Sequence, residues 1–242
     1  MTRPSFPLVV GHRGACGLAP ENTLVSLQRA LADGADWVEF DLRFSRDGEP
    51  VLLHDATLDR TTDGTGPVAD KDFAALRRHD AGSWFDSAFR SERIPTLGEA
   101  LGLLAGRAGA NIEIKDPGKS VAAGIGRVIE EVRSAGTARW MISSFHSVLV
   151  AEAVRQGAPT GLLVRRGTSR PAGRAERIGA GTLILSTRQA GPRRAASARR
   201  RSLAAWIYTV NERGEFERAA RWGFDAVIGD RPDLLRLWRE RL

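Results

Sequence analysis

A closed (β/α)8 barrel of the α/β class is what the sequence predicts, on three observations. Short apolar runs alternate with helical patterns, the order that builds a parallel sheet. The chain of 242 residues holds about eight such repeats, in the usual size range of a single barrel. Most of the runs are unbroken, as expected of strands covered on both faces. An open nucleotide-binding sheet is disfavoured, because neither a Gly-x-Gly-x-x-Gly turn nor a Walker loop occurs. Residues 1–242 are read as one barrel domain containing a flap at about 56–95.

The first strand, Leu8–His12, runs into a His-Arg pair, and Gly14 and Gly17 allow a tight loop behind it. Asn22 or Thr23 caps a helix over Thr23–Asp33. Strands Trp37–Phe44 and Val51–His54 are joined by SRDGEP, where no helix fits. Asp47-Gly48 is a two-residue hairpin signal. With that turn, paired residue numbers sum to 95, which sets His54 opposite Asp41 on the face that also carries Glu39. An irregular flap follows as far as Pro95, and IPTLGEALGLL resumes as helix. Further strands are expected at Ala110–Lys115, Arg139–Phe145, Gly161–Val164, Thr182–Ser186, Ala204–Val210 and Ala226–Gly229. The helices between and after them are Lys119–Ala135, Ser147–Gln156, Ala172–Ile178, Arg193–Arg200, Glu212–Trp222 and Pro232–Arg241, the last with proline in its first turn.

Composition narrows the class. No apolar run approaches the roughly 18 residues of a membrane helix, and a strand beginning at Leu8 leaves no room for a signal peptide. Cys16 is the single cysteine, so no internal disulfide forms. A cytoplasmic enzyme without a stable membrane anchor is expected, as monomer or homodimer. The net charge of +7 raises nucleic acid as a partner. However, only Lys71, Lys115 and Lys119 among the 36 basic residues are lysines, and the arginines between Arg165 and Arg201 alternate with alanine and glycine, not with aromatics. That pattern reads as a solvated basic face with a general attraction for small anions, and no nucleic-acid partner is expected.

Barrel enzymes work at the C-terminal ends of their strands, and these ends are polar. The first carries His12-Arg13, the second Glu39 and Asp41, its hairpin partner His54-Asp55, and the next Glu113 and Lys115. Glu39, Asp41 and Glu113 would converge and repel, and a hard divalent cation relieves that. Oxygen-only ligands select Mg²⁺, Ca²⁺ or Mn²⁺ over Zn²⁺. His12 and His54 are candidates for general acid and base. Arg13 and Lys115 supply fixed positive charge for a phosphate. Of the other histidines, His79 reads as structural within the flap, while His146 follows a strand end where it could border the pocket. Cys16 lacks an evident base and reads as a bystander.

The stretches GHRGACGLAPENT, VEFDLRFSRDGEPVLLHDATLDRTTDGTG, IPTLGEAL, IEIKD, ISSF, YTVNE and IGDRP occur in the order seen in the glycerophosphodiester phosphodiesterase family, which the chain resembles from Val9 to Pro232. The resemblance implies a barrel enzyme that cleaves glycerophosphodiesters to sn-glycerol 3-phosphate and an alcohol with one divalent cation. It assigns Glu39, Asp41 and Glu113 as metal ligands, His12 and His54 as the acid–base pair, and Arg13 and Lys115 as phosphate contacts. It also implies attack by the glycerol 2-hydroxyl through a cyclic phosphate, with direct attack by water as the alternative. Tyr208 stands where the family commonly has tryptophan, so the pocket wall differs, and Asp225-Ala226 replaces a common Asp-Gly. Two rival functions are a lysophospholipase D using the same site, with Trp84, Phe85 and Phe89 as a small apolar patch, and a non-catalytic polyanion binder. The second leaves the strand-end acids unexplained.

Overall fold

The computed structural model describes residues 7–115 and 120–242. Its chain begins with strand β1 (Leu8–Gly11), helix α1 (Leu24–Ala32) and the hairpin strands β2 (Trp37–Phe44) and β3 (Pro50–Leu52). The flap holds one helical turn, α2 (Phe73–Leu76), and two 3-10 turns. Then come α3 (Leu97–Leu104), β4 (Gly109–Ile114), α4 (Val121–Ser134), β5 (Trp140–Ser144) and α5 (Ser147–Arg155). The chain closes with β6 (Thr160–Leu163), α6 (Pro171–Arg177), β7 (Thr182–Ser186), α7 (Pro192–Arg199), β8 (Ala204–Tyr208), α8 (Arg213–Trp222), β9 (Ala226–Gly229) and α9 (Pro232–Arg239). The start expected for α4, Lys119, lies outside the described residues.

Strands β1, β2 and β4–β9 pair in parallel around a closed ring, β9 on β1 and β1 on β2, so the expected (β/α)8 barrel forms. Each strand is buried on both faces. Val38, Phe40 and Leu42 of β2 point outward and pack with Leu27, Ala30 and Leu101 of the helical shell. Inside the barrel, Val10, Met141, Leu163, Ile184, Trp206, Ala226 and Ile228 form a separate core, against which Trp37 packs. The Trp37 and Trp206 rings meet edge to face at 5.2 Å, an arrangement that favours their quadrupoles. Gly109 makes room for this floor, since a Cβ there would lie 2.3 Å from the Trp37 ring.

The β2–β3 register differs from the expected one. Leu42 pairs with Leu52, Arg43 with Val51 and Phe44 with Pro50, so paired numbers sum to 94, not 95. The turn holds three residues, Arg46 to Gly48, closed by Ser45 N donating to Glu49 O at 3.0 Å. Asp47 accepts from Ser45 Oγ and from Phe73 N at the start of α2, which ties the turn to the flap. Gly48 completes it at φ +85°, where an L side chain is strained. His54 is therefore not cross-strand from Asp41; Leu53 is, its N–H donating to Asp41 O at 3.1 Å. His54 reaches the barrel mouth because the chain bends directly after Leu53. The Arg43 guanidinium holds that bend through two hydrogen bonds to the His54 carbonyl, 2.9 and 2.8 Å.

The same hairpin opens a seam. One edge of β2 pairs with β1 only at Trp37 and Val38, and with β3 only from Leu42 onward. Between them the Glu39 carbonyl accepts from Gly14 N at 3.2 Å. The loop after β1 thus enters the barrel wall beside Glu39.

Substituting Gly48 by alanine should lower stability by about 1 kcal/mol, from backbone strain alone, because a Cβ there meets no atom within 4 Å. Urea unfolding of Gly48→Ala against the native chain tests this, and an unchanged midpoint would exclude the three-residue turn.

Candidate active site

Period-two alternation puts Glu39 and Asp41 of β2 on the inner face of the barrel, and Asn111 and Glu113 of β4 beside them, with Glu39 paired to Asn111 and Asp41 to Glu113. The three carboxylates are buried and offer oxygens within 4.8 Å of one another. Their surroundings differ. Asp41 Oδ1 lies 2.9 Å from Lys115 Nζ, and its Oδ2 accepts from Asn22 Nδ2 at 2.9 Å. Arg13 Nε stands 3.2 Å from that Oδ2, an ion pair without hydrogen-bond alignment. Burial would raise the Asp41 carboxyl, but Lys115 and Arg13 hold it down to about 2. Glu39 accepts one bond, from Arg13 N at 2.9 Å. Burial and the adjacent Asp41 push its carboxyl up to about 7. Burial and Asp41 also raise Glu113, although Lys115 bonds to it directly.

The unsatisfied atoms bear on a metal. Glu39 Oε1 and Asn111 Oδ1 are buried acceptors with no hydrogen-bond partner, a costly state for a buried oxygen. Both residues line one cavity of about 160 Å³ with His12, Arg13, His54, Glu113, Lys115, Phe145 and Tyr208. Three clustered carboxylates and a spare amide oxygen suit a hard divalent cation, so these residues fit one.

Each histidine is held by its own carboxylate. His12 Nδ1 lies 2.6 Å from Asp230 Oδ1, and Asp230 is fixed by Asn211 through a 2.6 Å bond to Oδ2 and a 3.0 Å bond from its own N–H. His54 Nδ1 lies 2.6 Å from Asp55 Oδ1. With both aspartates ionised, Nδ1 carries the proton in each ring, and Nε2 is left to exchange one. Their environments pull in opposite directions. For His12, burial works against the charged form, but the Asp230 bond and Glu39 outweigh it and raise the pKa above the usual imidazole value. For His54, burial together with Arg13 and Lys115 prevails over Asp41 and Asp55 and lowers it. A chain of contacts joins the two halves: Asp55 pairs with Arg60, Arg60 with Glu21, and Glu21 with Arg13.

All eight residues singled out from the sequence are near this cavity: Asp41 directly behind it, the other seven in its wall. Tyr208 packs edge to face on Phe145 at 6.2 Å. His79 bonds Asp63 within the flap. His146 stands outside the site cavity, lining its neighbour. The Cys16 thiol donates to Asp230, and burial with that carboxylate pushes it up, away from thiolate chemistry. Sequence pattern does not point to Asp230, Asn211, Glu21, Asn22 and Arg60 as site residues. Their signals are present in the quoted stretches IGDRP, YTVNE, PENT and DRTTDG, which carry no local periodicity. Asn22 does not cap α1; Thr23 does, accepting from Ser26 N. In the flap, Phe85 meets Trp84 and Phe89 edge to face, and none of the three lines this cavity.

A sequence profile of the glycerophosphoryl diester phosphodiesterase family matches residues 12–234. A glycerophosphodiester phosphodiesterase of Caldanaerobacter subterraneus subsp. tengcongensis is 34% identical over 234 residues, covering 94% of this chain and 96% of that one. One from Bacillus subtilis is 31% identical over 254 residues, covering 96% and 86%. Among solved structures, an Oleispira antarctica phosphodiesterase in complex with the product sn-glycerol-3-phosphate superposes with a TM-score of 0.90 at 30% identity, over 97% of both chains. The chain belongs to the glycerophosphoryl diester phosphodiesterase family, and so to the phosphoric diester hydrolases.

Proposed function

We propose that this enzyme hydrolyses glycerophosphodiesters to sn-glycerol 3-phosphate and an alcohol, with one divalent cation held by Glu39, Asp41 and Glu113. The observation that carries the reading is the meeting, in one small cavity, of two carboxylate-anchored histidines, an all-oxygen acidic cluster and two fixed cations. The product bound by the Oleispira relative is sn-glycerol 3-phosphate, which supports the same product here. Mg²⁺ and Ca²⁺ suit the ligand set equally, and Mn²⁺ is compatible with it. When bound, the cation supplies Lewis-acid neutralisation of the phosphate oxygens.

The residues of the chain divide the remaining work. Arg13 and Lys115 hold the phosphate and offset the charge that builds on it in the transition state. Tyr208 and Phe145 wall the substrate. One histidine takes the proton of the attacking oxygen while the other returns a proton to the leaving alcohol oxygen. The lowered His54 suits acceptance and the raised His12 suits donation in the first step. With the glycerol 2-hydroxyl as attacking group, a cyclic phosphate forms as the alcohol leaves. Water then opens the ring with the two histidines in exchanged roles, which restores both protonation states. Asp230 and Asp55 position the rings and do not touch the substrate. Among the described residues no helix is long and apolar enough to cross a membrane, and the single cysteine suits a cytoplasmic setting.

Glycerol 3-phosphate release from a panel of glycerophosphodiesters should appear with Mg²⁺, Ca²⁺ or Mn²⁺ and vanish in chelator; no release under any condition would overturn the reading. His12→Ala and His54→Ala should each lose at least about 100-fold in kcat, the usual scale of acid–base catalysis, with unfolding midpoints near the native one. Faster cleavage of lysophospholipid than of glycerophosphocholine would favour the lysophospholipase D reading instead.

Glu39 gives a pH signature. Its carboxyl rises from 4.5 to about 7 on folding, so between those values the folded chain keeps a proton that the unfolded chain has released. Stability in chelator should therefore fall as pH rises from about 5 to about 7. Glu39→Gln should flatten that slope in denaturant titrations. An equal slope in both proteins would remove Glu39 as its source.

A further inference from the structure

Three cavities meet at Phe145. The site cavity is the innermost, about 160 Å³; the two beside it are about 340 and 780 Å³ and lie along the loops after β5, β6 and β7. The innermost is below the roughly 300–1,000 Å³ of an ordinary small-molecule pocket. A diester with its phosphate between Arg13 and Lys115 finds room there for one short arm. The other arm must pass outward by Phe145 and Tyr208, both of which also line the 780 Å³ cavity.

That outer space is basic. Arg165, Arg166 and Arg188 line the larger cavity, Arg165 and Arg174 the smaller, and no carboxylate is among the described lining residues of either. Some arginines elsewhere on the shell are matched by acids, as in Arg29–Asp33, Arg155–Glu152, Arg213–Glu217 and Arg236–Glu240. Among the described residues, these four rim arginines have no such partner. Two of them are held in position. The Arg165 guanidinium lies 5.9 Å from the centre of the Phe145 ring and 3.3 Å from His146 Nε2, and its carbonyl accepts from buried Gln189. Arg174 donates to Ser147 Oγ at 2.9 Å. Lys115 lies 5.8 Å from the centre of the same Phe145 ring, so the inner phosphate contact and the outer rim share one aromatic wall.

We propose that this rim is the leaving-group subsite, and that it selects glycerophosphodiesters whose alcohol carries a negative charge of its own, above all a phosphate, over those with a cationic choline head. Guanidinium groups bind phosphate through paired, charge-assisted bonds. A quaternary ammonium placed there meets like charges, with no carboxylate among the described lining residues of either cavity. The inference rests on the proposed cleavage of glycerophosphodiesters.

The test compares kcat/KM of the metal-loaded enzyme for glycerophosphoinositol, glycerophosphoinositol 4-phosphate and glycerophosphocholine, at fixed free cation. The first two differ only by the distal phosphate. The phosphorylated substrate should be preferred by about tenfold at low ionic strength and by less at 0.5 M KCl, as expected for exposed charges. Choline should be the poorest head group. In the Arg166→Gln/Arg188→Gln double variant the ratio of phosphorylated to unphosphorylated substrate should fall toward one. A ratio of one or below in the native enzyme overturns the inference, as does a high ratio that the double variant leaves unchanged. In either case release from the unphosphorylated substrate still upholds the proposed activity. No release from any of the three overturns that activity and the subsite with it.

Discussion

Three carboxylates on two neighbouring strands, Glu39, Asp41 and Glu113, are buried together at the mouth of the barrel, and the rest of the site is arranged around their charge. Removing an ion from water costs several kcal/mol unless it is paired and hydrogen-bonded. Asp41 receives most of the compensation, from Lys115, Arg13 and Asn22. Glu39 receives a single backbone N–H and is left with a bare buried oxygen. The cluster is therefore graded: one acid held ionised by its partners, and two whose charged forms burial and Asp41 disfavour. That grading also fixes the loops. Arg13 must reach Asp41 and Glu39, Glu21 must hold Arg13, and Arg60 must hold Glu21, which brings Asp55 and His54 into place.

The barrel gives way locally to admit these groups. A fully paired β2 would bury Glu39 behind an unbroken wall. Instead β1 leaves its edge after Val38 and β3 takes the same edge at Leu42. The carbonyls in the gap are still satisfied, by Gly14 N and Leu53 N, so the seam carries little hydrogen-bonding cost. The hairpin thus acts as a spacer that leaves one wall of the barrel open to the loop bearing His12 and Arg13, while the flap packs its small core against the other side of β3.

What could be read from the sequence follows what has a period or an end. Buried parallel strands are apolar runs, their inner faces alternate, and polar residues at their C-terminal ends face the mouth; those rules alone brought Glu39, Asp41, Glu113, His12 and Lys115 together. The hairpin register was not readable, because Asp47-Gly48 suits a two-residue turn and a three-residue turn with glycine in its last place alike. The choice is made by contacts distant in sequence, Asp47 with Phe73 N and Arg43 with the His54 carbonyl. His54 reached the site by a bend and not by pairing. Asp230 lies 218 residues from the His12 it orients, and only the closure of β9 on β1 makes them neighbours. No local pattern can report a contact made by ring closure.

The charges of the two layers of the site differ in sign, and that difference limits what each can hold. In the inner layer three carboxylates face two fixed cations, Arg13 and Lys115, an excess of one negative charge when all are ionised. A divalent cation turns this into an excess of one positive charge, and a phosphodiester monoanion cancels it. A second negative charge on the substrate has no counterpart left inside. Fixed positive charges without a described acidic partner lie beyond Phe145, where Arg165, Arg166 and Arg188 line the outer cavity. These guanidinium groups stand beside Phe145 and Tyr208, which the site and the outer cavity share, so on the proposed reading a doubly anionic diester would find its second counter-charge there.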